Sequence, residues 1–233
     1  MNPTPNLPLR AGLLYLAVVA TGIFALLVAP SQALPQGIQG TALPHLQARL
    51  GLYQAGVASH LAMQVAFLLL PLALYPIFQD VSRTGSVLMV TLAVAAVPVG
   101  FQGLLEQLEV VRLLGSAAPG AGPAAEAVEG AIRVALRRAA QAERLASLFW
   151  GLWLFPFGWL VIRSGRLPRL LGWGLLSGGV AYTLEVVAPL LSLPAKPLAG
   201  WLHLPGSLGE IGCALWLTGQ GLGGVGRAGK AVR

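Results

Sequence analysis

Charge is scarce in this chain: only 10% of its 233 residues are Asp, Glu, Lys or Arg, while 56% are hydrophobic. Soluble domains carry roughly 25% charged residues, so there is too little polar side chain here to wet the surface of a water-soluble fold. Cysteine is nearly missing. Cys213 stands alone, which excludes an internal disulfide and any paired-thiol metal or redox motif, and its apolar surroundings make it a packed core thiol. Acids are rarer than bases, 8 against 15, for a net charge of +7. The bases flank apolar blocks and form no stripe with aromatics, which argues against a nucleic-acid partner and for membrane orientation. Strand-like alternation is missing too. Runs such as Leu68-Leu69-Leu70 do not alternate, so a β-barrel is set aside. No P-loop, dinucleotide fingerprint, HExxH or serine-nucleophile pattern is present, and the glycine-rich GQGLGGVG follows no strand. No catalytic residue or metal ligand is therefore assigned, the cofactor is left unknown, and whether the chain is an enzyme stays open, a non-enzyme being favoured.

What is abundant is apolar sequence in blocks of about 18 to 22 residues, the length a helix needs to cross about 30 Å of hydrocarbon. Six such blocks cover residues 11–30, 57–78, 86–105, 145–162, 170–191 and 201–222. The reading is a single all-α membrane domain of about six transmembrane helices in a lipid bilayer. The first block follows Arg10 and precedes Ser31-Gln32-Ala33, like a signal peptide, but it exceeds the usual 7 to 15 apolar residues and is expected to stay as a span.

Six spans put both termini on one side. That side collects Arg10, Arg83, Arg163, Arg166, Arg169, Arg227, Lys230 and Arg233 against one acid, Asp80, whereas bases and acids nearly balance on the other. Basic short loops stay in the cytoplasm. Both termini are expected in the cytoplasm and the chain in the bacterial inner membrane.

Within the spans, Pro71, Pro76, Pro98, Pro156 and Pro189 each remove a backbone donor and favour kinks, which membrane helices also tolerate. Gly174 and Gly178 have the spacing that lets a second helix approach. Outside the spans, Leu43, Leu46, Leu50 and Tyr53 recur at helical spacing and predict a short interfacial helix within 40–56. After a turn-forming stretch at 115–123, residues 124–144 carry Val128, Ile132, Ala135, Leu136 and Ala139 on one face. Glu126, Glu129, Arg133, Arg137 and Arg144 fall broadly on the other, giving an amphipathic outer extension of the fourth span with a solvated charged face.

Several stretches resemble a bacterial membrane family known as domain of unknown function 4386. They are RAGLLYLAVVATGIFALL, LYQAGVASHLAMQVAFLLLPLALYPIF, FPFGWLVIRSGRLPRLLGWGLLSGGVAY and LPGSLGEIGCALWL, with the RSGRLPRLLG turn the most specific part. The resemblance implies a polytopic helical bundle and no activity, substrate or cofactor.

Helical rise of about 1.5 Å per residue places the unusual polar groups by depth. His60 lies about 5 Å inside the outer boundary and Gln64 one turn deeper on the same face. Gln102, Glu106 and Glu109 form a stripe at the outer end of the third span, and Glu185 lies about 9 Å short of the fifth span's outer end. His203 and Glu210 belong to the outer turns of the sixth. An intramembrane carboxylate costs about 2.5 kcal/mol or more and generally faces a partner or a wet cavity. His60, Gln64, Glu106, Glu185, His203 and Glu210 are accordingly the candidate ligand-binding residues, for a small or amphiphilic ligand that is bound or transported. Plainer readings stand beside this: Glu210 as a first-turn carboxylate after Pro205-Gly206-Ser207, Glu185 as a polar bond between packed helices, and the histidines as structural residues. Three other functions stay open: a non-catalytic subunit or scaffold docking a membrane protein partner through 124–144, a metal-dependent intramembrane hydrolase, and haem ligation by His60 and His203.

Overall fold

A computed structural model describes residues 6–34, 42–116, 122–193 and 196–231, and every regular element among them is helical. Residues 117–121 of the expected turn, residues 40 and 41 of the expected short helix, and Arg233 lie outside the described residues. Helix α1 is Asn6–Ile23, which runs through a π-helical turn, Phe24–Val28, into α2, Ala29–Ala33. The wide turn directly precedes Pro30, whose missing N–H leaves no partner for a carbonyl one turn back; a π-turn absorbs that mismatch. Then follow α3, Ala42–Ala48; α4, Leu50–Phe78; α5, Arg83–Ser116; α6, Pro123–Ser164; α7, Arg169–Leu190; and α8, Lys196–Ala231.

Five runs are long and apolar enough to cross a membrane: Leu7–Ala33, Leu50–Phe78, Arg83–Ser116, Pro123–Ser164 and Arg169–Leu190. This all-α architecture fits a multi-pass helical membrane bundle. Helix α8, at 36 residues, is long enough as well, but His203, Glu210, Gln220 and its many glycines dilute the apolar run expected as a sixth span. Helices α4 and α5 exceed the expected spans 57–78 and 86–105. Tyr53 and Val57 at one end, and Val110 and Leu114 at the other, are buried in a shared core, and that burial rewards continued helix. Helix α6 is one unbroken element of 42 residues, the expected span and its outer extension together.

The chain divides into two compact units, residues 1–17, 66–97 and 145–233 in the first and 18–65 and 98–144 in the second. In the first, Trp153 and Phe157 stack at 5.1 Å, and Tyr15, Phe67 and Phe78 surround them at ring separations of 5.4–6.3 Å. Glycines set the helix spacing. A Cβ added to Gly206 would lie 2.5 Å from Cα of Gly178, and one on Gly174 would lie 2.6 Å from the carbonyl of Pro205. The Gly174/Gly178 pair therefore receives α8 at backbone contact. Helix α6 meets α7 the same way: a Cβ on Gly158 would come within 2.8 Å of the Gly172 carbonyl. Small residues of this kind let van der Waals packing hold helices together where lipid removes the hydrophobic driving force.

The RSGRLPR turn between α6 and α7 is also clamped. Gly165 takes φ +63°, a left-handed conformation that suits glycine at a helix end. Arg166 makes a two-pronged ion pair with Asp80, and its carbonyl accepts hydrogen bonds from Trp216 Nε1 at 3.2 Å and Gln220 Nε2 at 2.9 Å. Leu167 is buried beneath it.

In the second unit, Ser59 Oγ donates to the Thr21 carbonyl at 3.0 Å, Gly56 of α4 lies against Ala29, and Gly22 of α1 leaves room for Met63 of α4. The hydrophobic core gathers Leu43, Leu46, Tyr53, Val57, Leu104, Val110 and Ile132. The expected short helix appears as α3, while Leu50 and Tyr53 belong to α4. Glu129 departs from the solvated face expected of it: it is 6% exposed and caps α3. Its neighbour Ile132 is in the core, and the rotation that buries Ile132 carries Glu129 inward.

Candidate functional site

The six candidate residues fall into two groups. His60, Gln64 and Glu106 belong to the second unit, and Glu185, His203 and Glu210 to the first.

In the second unit, Tyr53, His60 and Gln64 recur at i, i+7 and i+11 along one face of α4, and His60 and Gln64 are 1% and 0% exposed. They join a chain of hydrogen bonds across three helices. Gln107 Nε2, on α5, donates to Glu143 Oε1, on α6, at 2.8 Å. Glu143 as a carboxylate only accepts, so Gln107 presents its Oε1 to His60 Nδ1 at 3.0 Å. His60 therefore donates from Nδ1, and its neutral Nε2 accepts from Gln64 Nε2 at 3.3 Å. Both ring nitrogens are thus engaged by amides. Gln64 lies directly against Gly100, where any side chain would collide with it. The price of this arrangement is two buried oxygens, Gln64 Oε1 and Tyr53 Oη, with no hydrogen-bond partner among the described residues.

Glu106 is not part of that chain. It pairs at 4.0 Å with Arg138, and the expected stripe of Gln102, Glu106 and Glu109 is not a buried face: Gln102 is exposed, and Glu109 is an exposed partner of Arg112. Leu104, Val110 and Leu114 take the buried face of α5, and that phase turns Gln107 inward.

In the first unit, Glu185 Oε1 on α7 meets His203 Nε2 on α8 at 2.9 Å, with the side chains 46% and 27% exposed. This is a polar bond between packed helices, one of the readings the sequence allowed. The ring of Tyr182 stands edge-on to His203 at 4.8 Å, and Trp150 stands edge-on to Tyr182 at 6.5 Å. Two turns of α8 beyond His203, at i+7, comes Glu210. It is not a first-turn carboxylate: α8 begins at Lys196 and passes through Pro205, so Glu210 lies mid-helix, away from the positive end of the helix dipole. Its carboxylate is within electrostatic reach of Tyr15, Tyr182 and Cys213. Among the described residues it has no hydrogen-bonded or ion-paired partner. Tyr15, 1% exposed, likewise keeps its hydroxyl without a partner. Cys213 is free and fully buried, as its apolar setting implied.

Among the described residues no three His, Cys, Asp or Glu side chains gather into a set that could hold a metal ion.

A family described as "Domain of unknown function (DUF4386)" matches residues 10–221. The chain belongs to the DUF4386 family. No curated protein and no solved structure matches it. The DUF4386 match spans both units and all six candidate residues, from Arg10 beside α1's first apolar turn to Gly221 on α8. Sequence reading passed over Gln107, Glu143, Tyr15 and Tyr182. For Tyr182 the signal was available: it lies three positions before Glu185, on the same face of α7. For Gln107 none was, because only packing tells it from Glu106.

Proposed function

We propose that this DUF4386 protein is a multi-pass protein of the bacterial inner membrane, both termini cytoplasmic, that binds or transports a small or amphiphilic ligand. The polar residues we assign to it are those of the first unit, Glu185, His203 and Glu210. One observation carries the reading: Glu210 sits mid-helix in α8 with no bonded partner among the described residues, two turns from His203 of the Glu185–His203 pair. A carboxylate so placed is costly, about 2.5 kcal/mol or more, and a chain that only needed helix packing would gain stability by replacing it. Ligand contact is what offsets that cost. The second observation in support is Tyr15, whose buried hydroxyl, within electrostatic reach of Glu210, also lacks a partner among the described residues.

Native mass spectrometry of protein purified in mild detergent tests this reading. A bound small molecule on the wild type, lost or depleted in the Glu185→Gln/Glu210→Gln double variant, is the expected result. No bound molecule on either protein, or an equal load on both, would refute it. Orientation has its own measurement: in a Cys213→Ser background, Arg169→Cys labels only from the cytoplasmic side and Gly130→Cys only from the periplasmic side.

A further inference from the structure

The first unit carries more than a stray acid, and its chemistry narrows what it can hold. Tyr15 from α1, Trp150 from α6, Tyr182 and Glu185 from α7, and His203 and Glu210 from α8 are linked by ring contacts, an ion pair and electrostatic proximity. Along α7 the residues are spaced Gly178, Tyr182, Glu185, and along α8 His203, Gly206, Glu210, Cys213, each series on one face. The glycines of these series are in backbone contact, Gly178 with Gly206. Acids and rings therefore flank a tight helix crossing.

The charge is one-sided. No Lys or Arg occurs in 11–48, 145–162, 170–195 or 197–226, the stretches that supply every member of the cluster. Lys196 begins α8 two turns before His203. If His203 is protonated it neutralises Glu185, and Glu210 still stands alone; if it is neutral, two carboxylates are uncompensated. An anion brought here meets the repulsion of the carboxylates, and an uncharged donor can bond Glu210 but leaves its charge uncompensated. A cation is attracted twice, by the carboxylate and by ring faces, since aromatic faces near an ammonium add about 0.5 to 2 kcal/mol. Tyr15 adds an independent sign of an occupant: its buried hydroxyl, within electrostatic reach of Glu210 and without a partner among the described residues, has two lone pairs free to accept from an N–H.

We propose that Glu210, Glu185, Tyr182 and Tyr15 form a site for an ammonium group, protonated or quaternary, on a small or amphiphilic amine. This rests on the binding reading above and names its ligand class. Glu210 supplies the counter-charge, Tyr182 a ring, and Tyr15 a hydrogen-bond acceptor. The Glu185–His203 pair sets the second charge according to the protonation of His203.

Three ten-carbon probes separate charge from hydrophobicity: decyltrimethylammonium, decyl dimethylamine oxide and decyl sulfate. Thermal unfolding of the full chain in maltoside micelles is followed against the concentration of each. Decyltrimethylammonium alone should raise the unfolding temperature saturably, and Glu210→Gln should weaken its apparent affinity by about tenfold or more, as loss of one charged contact does. Tyr15→Phe, which keeps the packing, should weaken a primary-amine probe, decylammonium, more than the quaternary one. Equal stabilisation by all three probes, or an undiminished cation effect in Glu210→Gln and Tyr15→Phe alike, overturns the proposal. A neutral or anionic molecule found by native mass spectrometry would overturn the ligand class and leave the binding reading standing; no bound molecule and no probe effect would overturn both.

Discussion

Glu129 holds the start of α3 by its backbone: Oε2 accepts the N–H of Leu43 and Oε1 that of Ala42, each at 2.7 Å. The first amides of a helix have no partner within it, and a carboxylate there answers both the hydrogen bonds and the dipole. Arg133, 3.4 Å away, balances the buried charge. Glu129→Ala should cost on the order of 3 kcal/mol, because two charge-assisted bonds are lost and two buried donors stranded. Glu129→Gln, which keeps one acceptor, should cost about half that. Hydrogen exchange at the Ala42 and Leu43 amides reports it directly; unchanged exchange in Glu129→Ala would show that the cap does not hold α3.

The hydrogen-bond chain from Glu143 through Gln107 dictates the tautomer of His60. Nitrogen-15 spectra should show Nδ1 protonated and Nε2 bare at neutral pH, and Gln107→Leu should remove that preference. That variant also strands His60 Nδ1–H and one Glu143 oxygen, at about 1 to 3 kcal/mol each. A protonated Nε2 in the wild type would contradict the directions assigned to all three bonds.

Two glycine-to-alanine changes should have opposite signs. At Gly206 the new methyl would meet the backbone of Gly178, which cannot swing aside, so Gly206→Ala should lower the unfolding temperature and loosen α7 from α8. At Gly130 nothing lies within 4 Å, and the position is inside α6. Gly130→Ala should therefore stabilise by about 0.5 to 1 kcal/mol through helix propensity. Like effects at the two sites would remove the argument from close approach.

Asp80 and Arg166 give a pH dependence with a definite sign. The guanidinium hydrogen bonds hold the Asp80 carboxyl below its usual 3.8. A depressed carboxyl contributes stability at pH above the ordinary value, and that contribution disappears as the pH falls through the lowered one. Titration of Asp80 by carbon-13 chemical shift should show a midpoint under 3.8 in the wild type and a return toward it in Arg166→Gln. The pair is solvent-exposed, so the stability effect should be small and weaken with salt. A normal Asp80 midpoint would show that the turn is held by the Trp216 and Gln220 bonds to the Arg166 carbonyl alone.

Much of the scaffold was legible along the chain. Helices of membrane-spanning length follow from runs of apolar residues, and run length is a local property that no neighbour alters. The long α6 could be read because Val128, Ile132, Ala135 and Ala139 carry helical period ahead of the apolar block, and nothing between them and Leu145 breaks a helix. The buried thiol of Cys213 and the close approach at Gly174 and Gly178 belong to the same kind of inference: small or apolar residues in an apolar run.

The candidate site was legible only as a set of residue types. Glu185, His203 and Glu210 could be named because ionisable groups are rare in such segments, yet which of them bond could not. A helix turns 100° per residue, so Glu106 and Gln107 point apart, and only the burial of Leu104, Val110 and Leu114 decides that Gln107 faces inward. Glu129 looked like a surface charge until the amides of α3, 86 and 87 positions away in sequence, arrived to meet it. Composition and the spacing of hydrophobic residues determined an all-α chain with helices of membrane-crossing length, since both depend on residues near one another. Tertiary structure alone decided which polar groups pair and which, like Glu210, stay unpaired, because a helix's rotation about its axis is set by what packs against it.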